Sequence, residues 1–127
     1  MTLFDSDVFI WHLRGYAGAQ EALLSIEQPA LSAVTLMEVL QGARNRREQR
    51  TCHQTLVDLN AWVLPLNPET TAVAIRLIEI HALKDGLTLA DALIAATALQ
   101  YEHPLLTANR KHFAPIRHLQ VLYFDPR

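Results

Sequence analysis

The chain has a single cysteine, Cys52. An intramolecular disulfide is excluded, and six histidines with no second cysteine offer no zinc-finger spacing. A reducing compartment suits such a chain. No apolar run approaches the ~18–20 residues of a membrane-spanning helix, and the opening MTLFDSDVFIW has acids where a secretion signal carries its basic region. A soluble, cytoplasmic protein with no membrane partner is therefore expected. Basic charge is not in excess, since 11 Lys+Arg stand against 13 Asp+Glu for a net charge of −2. A nucleic-acid partner must then be met by a local patch rather than a global field. Repeats, linkers and low-complexity tracts are missing, and 127 residues suit one domain. What the chain does have is core: 50% of residues are hydrophobic and 19% charged, below the usual charged share of about 25%.

Short apolar runs alternate with helical patterns along the whole chain. Thr2-Leu3-Phe4 reads as a strand, Asp5-Ser6-Asp7 as a tight turn, and residues 8–13 as a short helix closed by Gly15. Residues 17–27 are rich in Ala, Leu and Glu, Leu31-Ser32-Ala33 reads as a second strand, and Leu36–Gln41 as the helix after it. A helical pattern over 45–61 carries Arg46, Arg47, Glu48 and Arg50, then Leu56, Val57, Leu59 and Trp62. Residues 63–66 form a brief strand, and Asn67-Pro68-Glu69 opens a helix through Lys84 that Asp85-Gly86 ends. Thr88 begins a helix to Glu102, Pro104 breaks it, and strands follow at 105–107 and 121–124. This alternation predicts a parallel sheet covered on both faces.

Acids stand where such sheets place their ligands. Asp5 follows directly on a strand, at the carboxyl end, although Asp5, Ser6 and Asp7 are all also good helix caps. Glu38 lies within the apolar Leu36–Leu40 stretch, as suited to a solvent-facing helix surface as to a cleft wall. Asp91 follows Thr88 at capping-box spacing. Yet LTLADALIAATAL is apolar nearly all round, and a buried carboxylate there needs a cation; Lys84 is the only basic side chain close in sequence, so a metal is a reasonable counter-charge. Asn109, after the Leu105-Leu106-Thr107 strand, suits the cap of a short helix.

Together LFDSDVFI, LSAVTLMEVLQGA, LTLADALIAATAL and LLTANRKHF, in this order and spacing, resemble the PIN-domain family, most closely its VapC-type toxins, over essentially the whole chain. The resemblance implies one PIN-like domain over residues 1–127, a three-layer α/β/α fold with a mainly parallel central sheet. It implies a metal-dependent endoribonuclease, cutting single-stranded regions of RNA and held inactive by a cognate antitoxin, and commonly a homodimer. Asp5, Glu38 and Asp91 match the family's metal-holding acids, and Asn109 stands where a fourth acid is frequent. Asp7, where many relatives have Asn, is placed to compensate. The antitoxin would enter the acidic site as an extended or helical segment, with Phe9, Trp11 and Tyr16 available to receive it, although the core is an equally good destination for Phe9 and Trp11.

The residue types carry their own chemical argument. Three carboxylates without His or Cys suit the hard ions Mg²⁺ or Mn²⁺ and disfavour zinc. Such an ion makes hydroxide from bound water and neutralises charge gathering on a phosphate, so no side-chain nucleophile is needed. Ser6 and Thr107 can orient a carboxylate or water, or merely bond the backbone. An acidic pocket repels RNA, so flanking cations are required: Arg44, Arg46, Arg47 and Arg50 in one group, Arg110, Lys111 and Arg117 in another. Either group is also readable as a solvated face. His112 can contact RNA, whereas His53, His81 and His103 read as surface or helix-end residues. The alternatives are a housekeeping PIN-type RNA-processing nuclease, a catalytically silent PIN-like binding module, and a phosphoacceptor module built on Asp58 and Lys111, which would need Asp58 to end a strand.

Overall fold

Strand β1 (Thr2–Phe4) runs into Asp5, and the chain there turns into helices α1 (Ser6–Leu13) and α2 (Ala17–Ser25). These belong to a computed structural model that describes residues 1–126. Next come β2 (Pro29–Ser32), α3 (Ala33–Gly42), α4 (Arg46–Asp58) and β3 (Trp62–Leu64). The second half contains α5 (Pro68–Asp85), α6 (Leu89–Tyr101), β4 (Leu105–Thr107), α7 (Arg110–Phe113) and β5 (Val121–Tyr123). All four strand pairings are parallel, in the order β3-β2-β1-β4-β5.

Because side chains alternate across a strand, each central strand feeds two cores. Leu3, Ala30 and Leu105 meet α5, α6 and α7 through Ala74, Leu77, Ile94, Ala95 and Phe113. Phe4, Leu31 and Leu106 meet α1, α2 and α4 through Val8, Phe9, Leu23 and Leu56. Helix α3 gives Val34 to the first core and Val39 to the second, so it spans both layers. The result is the expected three-layer α/β/α arrangement, with a sheet that is parallel throughout.

Local chemistry sets the boundaries and accounts for the departures from the sequence reading. The second strand starts at Pro29 and yields Ala33 to the helix, because the Ser32 hydroxyl caps α3 by accepting the Val34 N–H at 3.1 Å. Helix α4 ends at Asp58, and the chain leaves it through Asn60 at φ +52°. Trp62 therefore starts β3 and is exposed, instead of joining the inner face of α4, which Cys52 and Leu56 supply. Asn67 caps α5 with Pro68 in its first turn, and Gly86 ends it at φ +72°, a left-handed conformation that costs a residue with a Cβ about 1–2 kcal/mol.

The strand order places the site. From β1 the chain builds outward through β2 and β3 on one side, and β4 and β5 lie on the other. A crevice at the carboxyl ends of β1 and β4 is where an open parallel sheet receives ligands. Asp5 and Thr107 are the residues at those two ends.

Candidate active site

Asp5 is almost wholly buried, at 4% exposure, and both of its carboxylate oxygens are engaged. One accepts the Ser6 N–H at 2.8 Å, which makes Asp5 itself the cap of α1; the other accepts the Thr107 hydroxyl at 2.8 Å. Capping and site roles, alternatives in the sequence, are thus carried by different oxygens of one side chain. Asp7, in the first turn of α1, accepts N–H groups from Val8 at 2.7 Å and Ala108 at 3.0 Å, and lies 3.3 Å from the same Thr107 hydroxyl. Thr107 in turn accepts the Asn109 N–H at 3.0 Å. The end of β4 is therefore tied to both acids of the β1–α1 turn.

Burial and mutual repulsion disturb these carboxyls. Asp5 is pushed up to about 7, first by burial, then by the charge of Asp7 and, more weakly, of Asp91, against the lowering hydrogen bonds from Thr107 and Ser6. Asp7 is also raised, mainly by burial and in small part by Asp91, while its donors from Ala108, Val8 and Thr107 pull the other way. Three acids from two parts of the chain, the β1–α1 turn and α6, feel one another here. No Lys or Arg lies within ion-pairing distance of Asp5, Asp7 or Glu38 among the described residues.

Glu38, on the second turn of α3, accepts the Ser6 hydroxyl at 2.5 Å, so it reaches the β1–α1 turn from the far side. Asp91 lies in the first turn of α6, where its N–H meets the Thr88 hydroxyl at 3.3 Å, while its carboxylate points elsewhere. The latter takes His112 Nδ1 at 2.7 Å. Beside a carboxylate that nitrogen carries the ring proton and donates it. His112, considered in the sequence only for RNA contact, is thus the cation-capable partner of Asp91 in place of Lys84, whose nearest acid is Asp85 at 3.9 Å. Asn109 caps α7 by accepting the His112 N–H at 3.1 Å, with its amide nitrogen 3.1 Å from His112 Nδ1.

The acids are drawn into protein hydrogen bonds, and among the described residues no three His, Cys, Asp or Glu side chains are gathered as ligands around one point. The donor chemistry nevertheless fits a hard divalent ion. Mg²⁺ typically takes one or two carboxylates and completes its octahedron with water and phosphate, and the acids nearest the crevice offer oxygens only.

Other candidates are placed differently. Arg44 is spent on Glu48, at 2.7 Å, and lines an open groove of about 740 Å³ with Glu38, Ile10, Leu13 and Arg14. Arg46, Arg47 and Arg50 are exposed along α4. Lys111 is exposed on α7, and Arg110, also exposed, sits over the Tyr123 ring at 3.8 Å. Phe9 is fully buried and so is unavailable to a partner; Trp11 packs against Tyr16 at 5.3 Å between ring centres with Arg14 over it. His81, read from the sequence as a surface or helix-end residue, is buried near the end of α5 and bonded to Asp85 at 2.7 Å, so the surface alternative falls. Asp58 ends a helix and accepts Gln54 at 2.9 Å, which removes the phosphoacceptor reading.

With this crevice in place, comparison with known proteins defines the class. Residues 2–119 match the model of the PIN domain, and the chain belongs to that family. More particularly, it is similar to "Ribonuclease VapC10" of Mycobacterium tuberculosis, with 32% identity over 133 residues covering 99% of this chain and 96% of the relative. It is also similar to "Ribonuclease VapC" of Rickettsia bellii, with 31% identity over 127 residues covering 94% and 93%. Among solved structures it superposes on a chain of a toxin–antitoxin complex from Klebsiella pneumoniae with a TM-score of 0.82 and 28% identity, covering 100% of this chain and 98% of that one.

Proposed function

We propose that the protein is a Mg²⁺- or Mn²⁺-dependent endoribonuclease, the toxin of a toxin–antitoxin pair, with Asp5, Glu38 and Asp91 holding the ion. The observation that supports this reading is the β1–α1 turn: Asp5 and Asp7 share the Thr107 hydroxyl there, Glu38 bonds to Ser6 of the same turn, and Asp91 is near enough for its charge to be felt at Asp5, with no Lys or Arg ion-paired to any of them. In a PIN-family chain similar to VapC ribonucleases, an ion of this kind would supply the counter-charge to these acids. When bound, it supplies hydroxide from a water ligand and offsets charge on the phosphate.

The chain's own groups prepare that site. Thr107 donates to Asp5 and fixes its carboxylate against β4. The Ser6 hydroxyl orients Glu38, and His112 Nδ1–H orients Asp91, the kind of outer contact that sets ligand direction and basicity. Asn109 then acts through His112, whose backbone it holds. Asp7 is the fourth acid of the crevice in place of position 109. The exposed Arg46, Arg47 and Lys111 would serve as phosphate contacts for RNA.

The groove lined by Ile10, Leu13, Arg14 and Arg44 has Glu38 in its wall. A segment of an antitoxin laid along it would bury Ile10 and Leu13 and bring an Arg to the acids, displacing metal and substrate together.

Cleavage of single-stranded RNA by the purified protein with Mg²⁺ or Mn²⁺, and none with chelator, is the expected result. Asp91→Asn, Asp5→Asn and Glu38→Gln should each lower cleavage by at least about a hundredfold while the far-UV circular dichroism and cooperative melting persist. Undiminished cleavage by Asp91→Asn, or cleavage in chelator, overturns the reading.

A further inference from the structure

We propose that Arg110, seated on the ring of Tyr123, is a stacking platform for one base of the RNA, next to the phosphate that is cut. This rests on the ribonuclease reading and adds a binding subsite to it.

Register puts the platform beside the acids. Leu3 and Phe4 of β1 pair with Leu105 and Leu106 of β4, and the Asp5 N–H bonds to the Leu106 carbonyl at 2.9 Å. Thr107 pairs directly with Tyr123 of β5. Partners in parallel strands show their side chains on the same face, and neighbouring strands lie about 4.8 Å apart. Asp5, Thr107 and Tyr123 thus form one row across the carboxyl edge of the sheet. Thr107 faces Asp5 at 2.8 Å, and Tyr123 continues the row on its other side.

Arg110 is held there by its surroundings. It follows Asn109, the cap of α7, and its guanidinium carbon lies 3.8 Å from the Tyr123 ring centre, too close for anything to intervene. It has no carboxylate partner among the described residues, whereas Arg44 is neutralised by Glu48. The residue is exposed and its ring support is half-buried. The guanidinium therefore rests on the tyrosine while the residue as a whole stays open to solvent.

The chemistry selects a nucleobase. A guanidinium is planar, weakly hydrated and always charged, and unpaired RNA bases stack on such planes. Attraction to phosphate alone needs no aromatic backing, since a lysine ammonium serves as a point charge. Every base has a π-face, so the subsite favours the presence of a base over its identity.

The test uses single-stranded RNA oligonucleotides whose cleavage position has been mapped with the parent protein. An abasic residue is placed on one side of the cut or on the other. One of the two should raise KM about tenfold with kcat nearly unchanged, the order of effect of a single stacked base. Arg110→Ala and Tyr123→Leu should raise KM for intact RNA to a similar extent and abolish the abasic penalty at that position. Arg110→Lys keeps the charge and loses the plane, so it should behave as Arg110→Ala does. As a binding readout, 2-aminopurine at the same position should be quenched on binding to the inactive Asp91→Asn protein, and not when Arg110→Ala is added. Equal KM for intact and abasic RNA, parent-like KM in Arg110→Lys, or a lowered Tm in Arg110→Ala with KM unchanged would each overturn the platform and leave the ribonuclease reading standing. Absence of any RNA cleavage by the parent overturns both.

Discussion

Asp5 concentrates the conflict between stability and function in one carboxyl. An unfolded chain releases its proton near 3.8 and the folded protein near 7, so between those values the folded state binds the extra proton. Stability then falls as pH rises through this window and levels off above it. In chelator, Asp5→Asn should melt a few degrees above the parent at pH 8, with the gain shrinking toward pH 4; the asparagine oxygen can still accept the Ser6 N–H while its amide nitrogen donates to the Thr107 hydroxyl oxygen. A parallel loss of Tm at both pH values would mean that the acid is structurally favourable as a charge. His112 carries the complementary prediction. His112→Ala frees the Asp91 carboxylate and should weaken Mn²⁺ binding, measured by calorimetry, by about 10–100-fold. His112→Asn retains a short donor and should recover part of that loss.

At the scale of elements, the turn between α5 and α6 leads straight into the helix whose first turn carries Asp91. Gly86 closes α5 by donating its N–H to the Ala82 carbonyl at 3.1 Å, and a Cβ built on it would lie 3.9 Å from His112 Nε2. Contact at that distance is ordinary, so the penalty of Gly86→Ala comes from its φ of +72°. Chemical denaturation should show a loss of about 1–2 kcal/mol. Because α5 and α6 pack along each other, that strain should reach Asp91 and lower RNA cleavage more than a substitution of equal cost at the exposed end of α2. The α5 entrance is secured separately, by Asn67 accepting from Thr70 and Gln100, with Gln100 also accepting from the Thr70 hydroxyl.

At the scale of the whole molecule, an ion that binds only the folded crevice stabilises every element joined to it. At a concentration of one hundred times its Kd the gain is about 2.7 kcal/mol, which amounts to several degrees in Tm for a chain of this size. Mn²⁺ should therefore raise the Tm of the parent and leave Asp91→Asn and Glu38→Gln nearly unmoved. Equal shifts in all three would place the ion elsewhere. No helix of the described residues is long and apolar enough to cross a membrane.

Much of this architecture was legible along the chain because it depends on near neighbours. Strand runs of three or four residues, the Asn67-Pro68 start, the Gly86 stop and the apolar circumference of α6 follow from caps, backbone preference and side-chain periodicity, all short-range properties. The sequence likewise announced Asp5, Glu38 and Asp91 as acids in or beside apolar segments, and the four PIN-like stretches ordered them. What it left open depends on partners far apart in the chain. Thr107 meets Asp5 across 102 positions and Glu38 meets Ser6 across 32, contacts created only when strand order puts β1 between β4 and β2. The same applies to the pairing of His112 with Asp91, the commitment of Arg44 to Glu48, the burial of Phe9 and the exposure of Trp62. Local pattern states which side chains can serve a site; only the packing of sheet and helices decides which of them meet, because the energy of a charge or a ring is set by what surrounds it in space.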